Sequence, residues 1–142
     1  MVIIMKFEIN ERELIQAALE ARENAYAPYS GFRVGAALLC ENGKVYKGCN
    51  VENAAFSPTV CAERTALFSA VADGERKFIA IAIVGGKGDE IDPSTAPCGV
   101  CRQVLCEFCD EDFRVILGLP KDFRMIRLGE LLPHAFSSKN LT

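Results

Sequence analysis

The chain has 142 residues, 50% of them hydrophobic and 25% charged, and carries a formal net charge of −3. That composition predicts one compact domain over residues 1–142, large enough to bury roughly 70% of its unfolded surface without a disulfide scaffold. Two partner classes are excluded: no basic run can follow a phosphate backbone, and no apolar run approaches the roughly 18 residues of a membrane span.

The apolar opening, Met1 to Phe7, lacks a leading positive charge and a long hydrophobic region. It is read as an N-terminal extension over residues 1–9 rather than a signal peptide, with Met5 as a candidate original start. Asn10 and Glu13 have the spacing of a helix cap, and Leu14, Ile15, Ala17, Ala18 and Ala21 recur at helical intervals, predicting a first helix from Glu11 to Asn24. Pro28 ends it, and Tyr29-Ser30-Gly31 reads as a loop. Phe32–Cys40 and Val45–Cys49, joined through Asn42-Gly43, predict a β-hairpin. A second helix is expected from Cys61 to Asp73, closed by Gly74. The nearly unbroken apolar run Phe78–Val84 predicts a strand covered on both faces, followed by a loop over Gly85–Ala96. Pro97 sits where it can precede or open a third helix, which runs to about Cys109. Arg114–Leu119 and Arg124–Leu128 read as strands, Gly129–Leu132 as a short helix, and 137–142 as a tail. This order predicts an α/β fold, a mixed sheet of about five strands with helices packed on it. Two of those helices begin at cysteines that follow a strand or loop, where open α/β sheets place their ligands.

Seven cysteines exceed what a domain of this size needs. Their odd number, without a secretory signal, predicts reduced thiols in a cytoplasmic setting, serving either the core or a metal. Cys98 and Cys101, three apart on a helix's first turn, can converge on one ion. Spacing alone leaves a redox pair or two buried thiols open as well. Cys61 offers a third thiolate, with Glu63 two residues on. Within a regular helix those two would point about 200° apart, so they share a site only if Cys61 lies at or before the helix start. Three protein ligands with a fourth position open characterise catalytic zinc, and Glu63 is then placed to move protons. Two helix N-termini and Arg64 would offset the charge of the thiolates.

Cys106 and Cys109 add a second CxxC and raise a rival reading, a four-thiolate structural zinc or an iron–sulfur cluster. On one helix Cys106 lies about 12 Å along the axis from Cys98, too far for one zinc. The iron–sulfur spacing needs a further cysteine beyond Cys109, and none follows. Those two, with Cys40 and Cys49, are assigned to packing.

Cys61-Ala62-Glu63-Arg64 together with Pro97-Cys98-Gly99-Val100-Cys101-Arg102-Gln103 resembles the zinc-dependent cytidine deaminases. Tyr29 to Leu38, Gly48 to Ala54 and Glu130 to Phe136 are similar to the free-nucleoside branch, so the resemblance spans about Asn10 to Phe136. It implies a three-layer α-β-α fold and one zinc per chain, held by Cys61, Cys98 and Cys101. It also implies hydrolytic deamination of cytidine and 2′-deoxycytidine in pyrimidine salvage, with Glu63 carrying protons to N3 and to the departing amine. By the same resemblance Asn50 and Glu52 hold the ribose hydroxyls, Phe32 packs on the pyrimidine, the Ala62 backbone meets the base, and Arg64 and Gln103 support the site from behind. The three-cysteine set resembles the homotetrameric branch, in which Phe136 would reach a neighbouring subunit's site.

Two positions depart from that pattern: Phe56 stands where tyrosine is frequent, and His134 where glycine is usual. Deamination of another free cytosine nucleoside, such as a nucleoside antibiotic, is one alternative, and a structural zinc module without catalysis is the other. A polynucleotide substrate is not expected, because an acidic domain offers no basic channel for the strand.

Overall fold

The computed structural model describes residues 9–142; the Met5 start and all but Ile9 of the expected extension lie outside the described residues. The strands are β1 (Phe32–Cys40), β2 (Val45–Cys49), β3 (Phe78–Lys87), β4 (Arg114–Leu119) and β5 (Asp122–Arg127), ordered β2-β1-β3-β4-β5 in one five-stranded sheet. Only β3 and β4 pair in parallel, which makes the sheet mixed, as expected. The helices are α1 (Glu11–Arg22), α2 (Ala62–Ala72), α3 (Gly99–Phe108) and α4 (Leu128–Leu131).

Strand alternation sorts the core into two layers. On one face Ala37, Leu39, Ala80, Ala82, Val84 and Ile116 pack against Leu14, Ile15 and Ala18 of α1. On the other, Ala36, Leu38, Ile81, Ile83, Val115 and Leu117 pack against Ala62, Ala66, Leu67 and Ala70 of α2 and Leu105 of α3. β1 and β3 contribute to both clusters, so their continuous apolar runs follow from cover on both sides. This is the three-layer arrangement that the resemblance implies.

Several boundaries differ from expectation for identifiable reasons. β3 continues to Lys87 because Gly85, Gly86 and Lys87 pair with Val34, Arg33 and Phe32; the glycines had read as loop. β5 begins at Asp122, opposite Leu119, and ends at Arg127, since Leu128 turns into α4 and buries its side chain. α1 stops at Arg22, two residues early, where Glu23, Asn24 and Ala25 donate to the carbonyls three residues back. α2 begins at Ala62, one residue after its Cys61 cap, and α3 at Gly99 after its Cys98 cap, so that Pro97 precedes the third helix; each helix ends one residue early.

Two close fits hold the helices to the sheet. A Cβ built at Gly48 would lie 2.4 Å from Ala66 N and 2.5 Å from Ala62 O, so the bare glycine lets the first turn of α2 lie directly on β2. At the far end of α1, the Arg22 side chain is buried among carbonyls: Nε donates to Arg33 O at 3.0 Å, and Nη2 to Gly86 O at 2.9 Å, Gly88 O at 2.5 Å and Glu90 O at 3.2 Å. Burial lowers its pKa, yet no carboxylate pairs with it among the described residues. Its charge is solvated by backbone dipoles that join α1, the start of β1 and the turn after β3.

Arg22→Ala should lower the unfolding free energy by about 3 kcal/mol or more in a urea titration, because each buried carbonyl left without a donor costs about 1–3 kcal/mol. Arg22→Lys, with a single nitrogen and no fork, should lose less.

Candidate active site

β1 begins, and β2 and β3 end, at one end of the sheet, where Phe32 pairs with Lys87 and Gly35 with Cys49. α2 and α3, the next helices after β2 and β3, start there too. Each starts on a cysteine with extended N-cap backbone: Cys61 at φ −75°, ψ 157° and Cys98 at φ −65°, ψ 167°. Non-helical backbone at the cap directs the side chain ahead of the first turn instead of around the helix cylinder. Cys61 thereby meets the geometric condition set by its spacing to Glu63. Cys101 sits three residues beyond its cap, the separation at which capping side chains reach each other.

The three sulfurs converge. Sγ of Cys61 and Cys98 are 3.8 Å apart, Sγ of Cys98 and Cys101 are 3.5 Å apart, and the three donor atoms all lie within 4.8 Å of one another. Tetrahedral thiolates at about 2.3 Å from zinc would stand about 3.8 Å apart, so the cluster fits that ion. No fourth His, Cys, Asp or Glu donor joins it among the described residues. Cys106 and Cys109, further along α3 and at its end, stay outside the cluster, as assigned.

The electrostatics follow from this crowding. Hydrogen bonding from the Cys101 thiol, followed by Arg64 and Cys98, brings the Cys61 thiol down to about 5 against the opposing effect of burial. Cys101 is pushed up, chiefly by the same bond to Cys61 and then by burial and the Glu63 carboxylate. Arg64 donates from Nη2 to Cys61 Sγ at 3.5 Å and to Thr59 O at 3.4 Å, while its Nε is buried without a partner. Glu63, in the first turn of α2, is 4% exposed, and burial raises its carboxyl pKa. A carboxyl held close to the sulfurs, away from water and with a raised pKa, is suited to taking up and releasing a proton.

The residues expected to bind substrate lie around the start of β1. Asn50 is buried, its Oδ1 accepting from Val34 N and its Nδ2 donating to Phe32 O, both at 2.8 Å. Glu52 is a loop residue whose carboxylate accepts from Tyr29 N at 2.9 Å, Ser30 N at 3.1 Å and Ser30 Oγ at 2.5 Å. It lines an open cleft of about 430 Å³ with Tyr29, Ser30, Phe56 and Thr59. Thr59 joins the cleft to the thiols, since its carbonyl accepts from the Arg64 side chain that also donates to Cys61. Phe32 is half-buried with its ring edge over Gly85, and buried Ala62 is the first residue of α2, where backbone N–H groups have no partner within the helix.

Two residues stand elsewhere. Gln103 Nε2 donates to Phe136 O at 2.9 Å, so it holds the C-terminal segment instead of facing the sulfurs. Phe136 itself is 61% exposed.

Sequence reasoning passed over Ser30 and Arg102. Arg102 donates to Pro97 O at 2.8 Å and Leu131 O at 2.7 Å, fixing the entry to α3 against α4; its adjacency to Cys101 was the available signal. Both departures from the family pattern have left-handed backbone, Phe56 at φ 61° and His134 at φ 55°. At His134 this explains why glycine suits the position.

These features define a thiolate metal centre beside a small cleft on an α/β sheet, and comparison with known proteins agrees. Residues 8–117 match the family described as the cytidine and deoxycytidylate deaminase zinc-binding region. A cytidine deaminase of Sporosarcina psychrophila is 50% identical over 131 residues, covering 92% of this chain and 93% of that protein. One from Halalkalibacterium halodurans is 47% identical over 134 residues, covering 94% and 98%. The crystal structure of cytidine deaminase from Burkholderia pseudomallei superposes with a TM-score of 0.82 at 52% identity, covering 90% of this chain and all of that one. The chain belongs to the zinc-binding cytidine and deoxycytidylate deaminase family, and its three-cysteine cluster is consistent with one zinc per chain.

Zinc binding must displace the proton held on Cys101, whose pKa is raised. The apparent zinc association constant should therefore climb at least about tenfold per pH unit between pH 6 and 8, measured by competition with a chromophoric chelator.

Proposed function

We propose that the protein deaminates cytidine and 2′-deoxycytidine by hydrolysis, exchanging the C4 amino group for oxygen and releasing ammonia. The observation that carries this reading is a buried carboxyl, Glu63, beside three sulfurs spaced for one zinc. Cys61, Cys98 and Cys101 would hold the ion. When bound, zinc supplies the Lewis acidity that lets water ionise near neutral pH.

The chain's own residues do the rest. Glu63 takes a proton from the attacking water and passes it to N3 of the cytosine ring. It then takes the proton of the new C4 hydroxyl and delivers it to the amine, so that the C4–N bond breaks, ammonia leaves and a C4 carbonyl remains. Its raised pKa suits both directions of transfer near neutrality. Phe32 packs on the pyrimidine, and the free N–H groups at the start of α2, with the Ala62 backbone, meet the base. Asn50 uses one lone pair and one N–H on β1, leaving one of each for a sugar hydroxyl. Glu52, an ionised acceptor held by three donors, accepts a hydrogen bond from a sugar hydroxyl. Arg64 balances the thiolate charge, and Gln103 supports the site indirectly, through the segment carrying Phe136.

The reading extends to assembly and setting. Residues 1–142 act as one catalytic domain that assembles as a homotetramer, with Phe136 completing a neighbouring subunit's site; the exposure of that ring supports this role. All seven cysteines are unpaired thiols, in keeping with a reducing cytoplasm and a place in pyrimidine salvage. No described helix is long and apolar enough to cross a membrane.

Zinc-loaded protein should convert cytidine to uridine in an ultraviolet assay, and unchanged spectra for both nucleosides would sink the proposal. Glu63→Gln should keep its zinc and lose about 10²- to 10⁴-fold in kcat. Sedimentation should show a tetramer, and Phe136→Ala should raise KM in the assembled enzyme; a fully active monomer would disprove the shared site.

A further inference from the structure

We propose that Ser30 is a positioning residue that aims the one open acceptor site of Glu52 at a sugar hydroxyl and couples it to Phe32. The inference rests on the reading of Glu52 as a sugar-binding residue and adds how its specificity is set. Ser30 Oγ accepts the Phe32 N–H at 2.9 Å and donates to Glu52 Oε2 at 2.5 Å. A hydroxyl has one proton, and an incoming N–H from Phe32 leaves that proton one favourable direction, toward the carboxylate.

On the receiving side, Glu52 Oε1 accepts from Tyr29 N and Ser30 N, while Oε2 accepts from Ser30 Oγ. An ionised carboxylate offers about four lone-pair sites and donates nothing. Three are taken, and the one left is on Oε2, the oxygen that Ser30 orients. Glu52 therefore meets a ligand with a single directed acceptor, which matches a hydroxyl donor. The relay also links the residue proposed to pack on the base with the residue proposed to hold the sugar, so Ser30 sets their separation. Sites built to bond a hydroxyl discriminate strongly against analogues that lack it, because the site group is then left unpaired.

The competing explanation is that Ser30 merely closes the turn before β1 through its bond to Phe32 N. The two explanations differ in how the sugar matters. If Ser30 acts through Glu52, Ser30→Ala should raise KM for cytidine about tenfold with kcat within about twofold, and should change KM, or the competitive inhibition constant, of 2′,3′-dideoxycytidine by less than about twofold. Ser30→Thr, which keeps the hydroxyl, should restore the cytidine KM. Ser30→Cys, similar in shape but a weak donor, should behave like Ser30→Ala and serves in its place if that variant does not fold. An unchanged cytidine KM, or an equal rise for both nucleosides, overturns the proposal while leaving the deaminase reading intact. Inactivity of the zinc-loaded parent toward cytidine would overturn both.

Discussion

Three sulfurs can face one point only if two helices begin beside each other and each opens on a cysteine whose backbone is not yet helical. The extended cap conformations of Cys61 and Cys98 meet that requirement, and much of the fold serves it. The strand order brings the end of β2 and the end of β3 to the same end of the sheet, with only β1 between them. The absence of a side chain at Gly48 sets how near α2 can lie, because a methyl group there would strike the backbone of Ala62 and Ala66. Arg102 fixes the approach to the other cap by holding Pro97. The metal cluster thus depends on cap backbone geometry, which Gly48 and Arg102 help to hold in place.

Charge is arranged around that cluster with little help from ion pairs. The ion pairs among the described residues are all at exposed side chains, where such contacts contribute little. Inside, a guanidinium and a carboxyl are buried without conventional partners, Arg22 among carbonyls and Glu63 beside thiols. They serve opposite ends: Arg22 satisfies backbone acceptors and fastens three segments together, whereas Glu63 is left in an environment that disfavours its charge. A carboxyl in such a place costs stability when ionised, and the surrounding core has to offset that cost.

Much of this was legible in the sequence because local spacing dictates it. The Pro-Cys-x-x-Cys segment and the two-residue step from Cys61 to Glu63 carry their own geometry, and the need for Cys61 to lie at a cap followed from helix rotation alone. Long-range pairing was less visible. Gly85 and Gly86 look like a loop until β1 is laid beside them, and Arg22 looks like a solvent-facing helix end until the turn after β3 folds over it. Family likeness alone marked Asn50 and Glu52; only the folded chain shows the bonds to β1 and Ser30 that hold them. Gln103 sits inside a metal motif yet bonds to Phe136, a partner 33 residues away that local spacing cannot indicate.

Cys61 and Cys98 are 37 residues apart, with α2, β3 and the turn that follows it between them. An ion gripping both would act as a cross-link across that stretch, closing a loop whose ends the unfolded chain leaves free. Part of the metal's binding free energy is then folding free energy, and the folded population follows free zinc by mass action. Zinc supply would govern how long each copy survives as well as how fast it turns over.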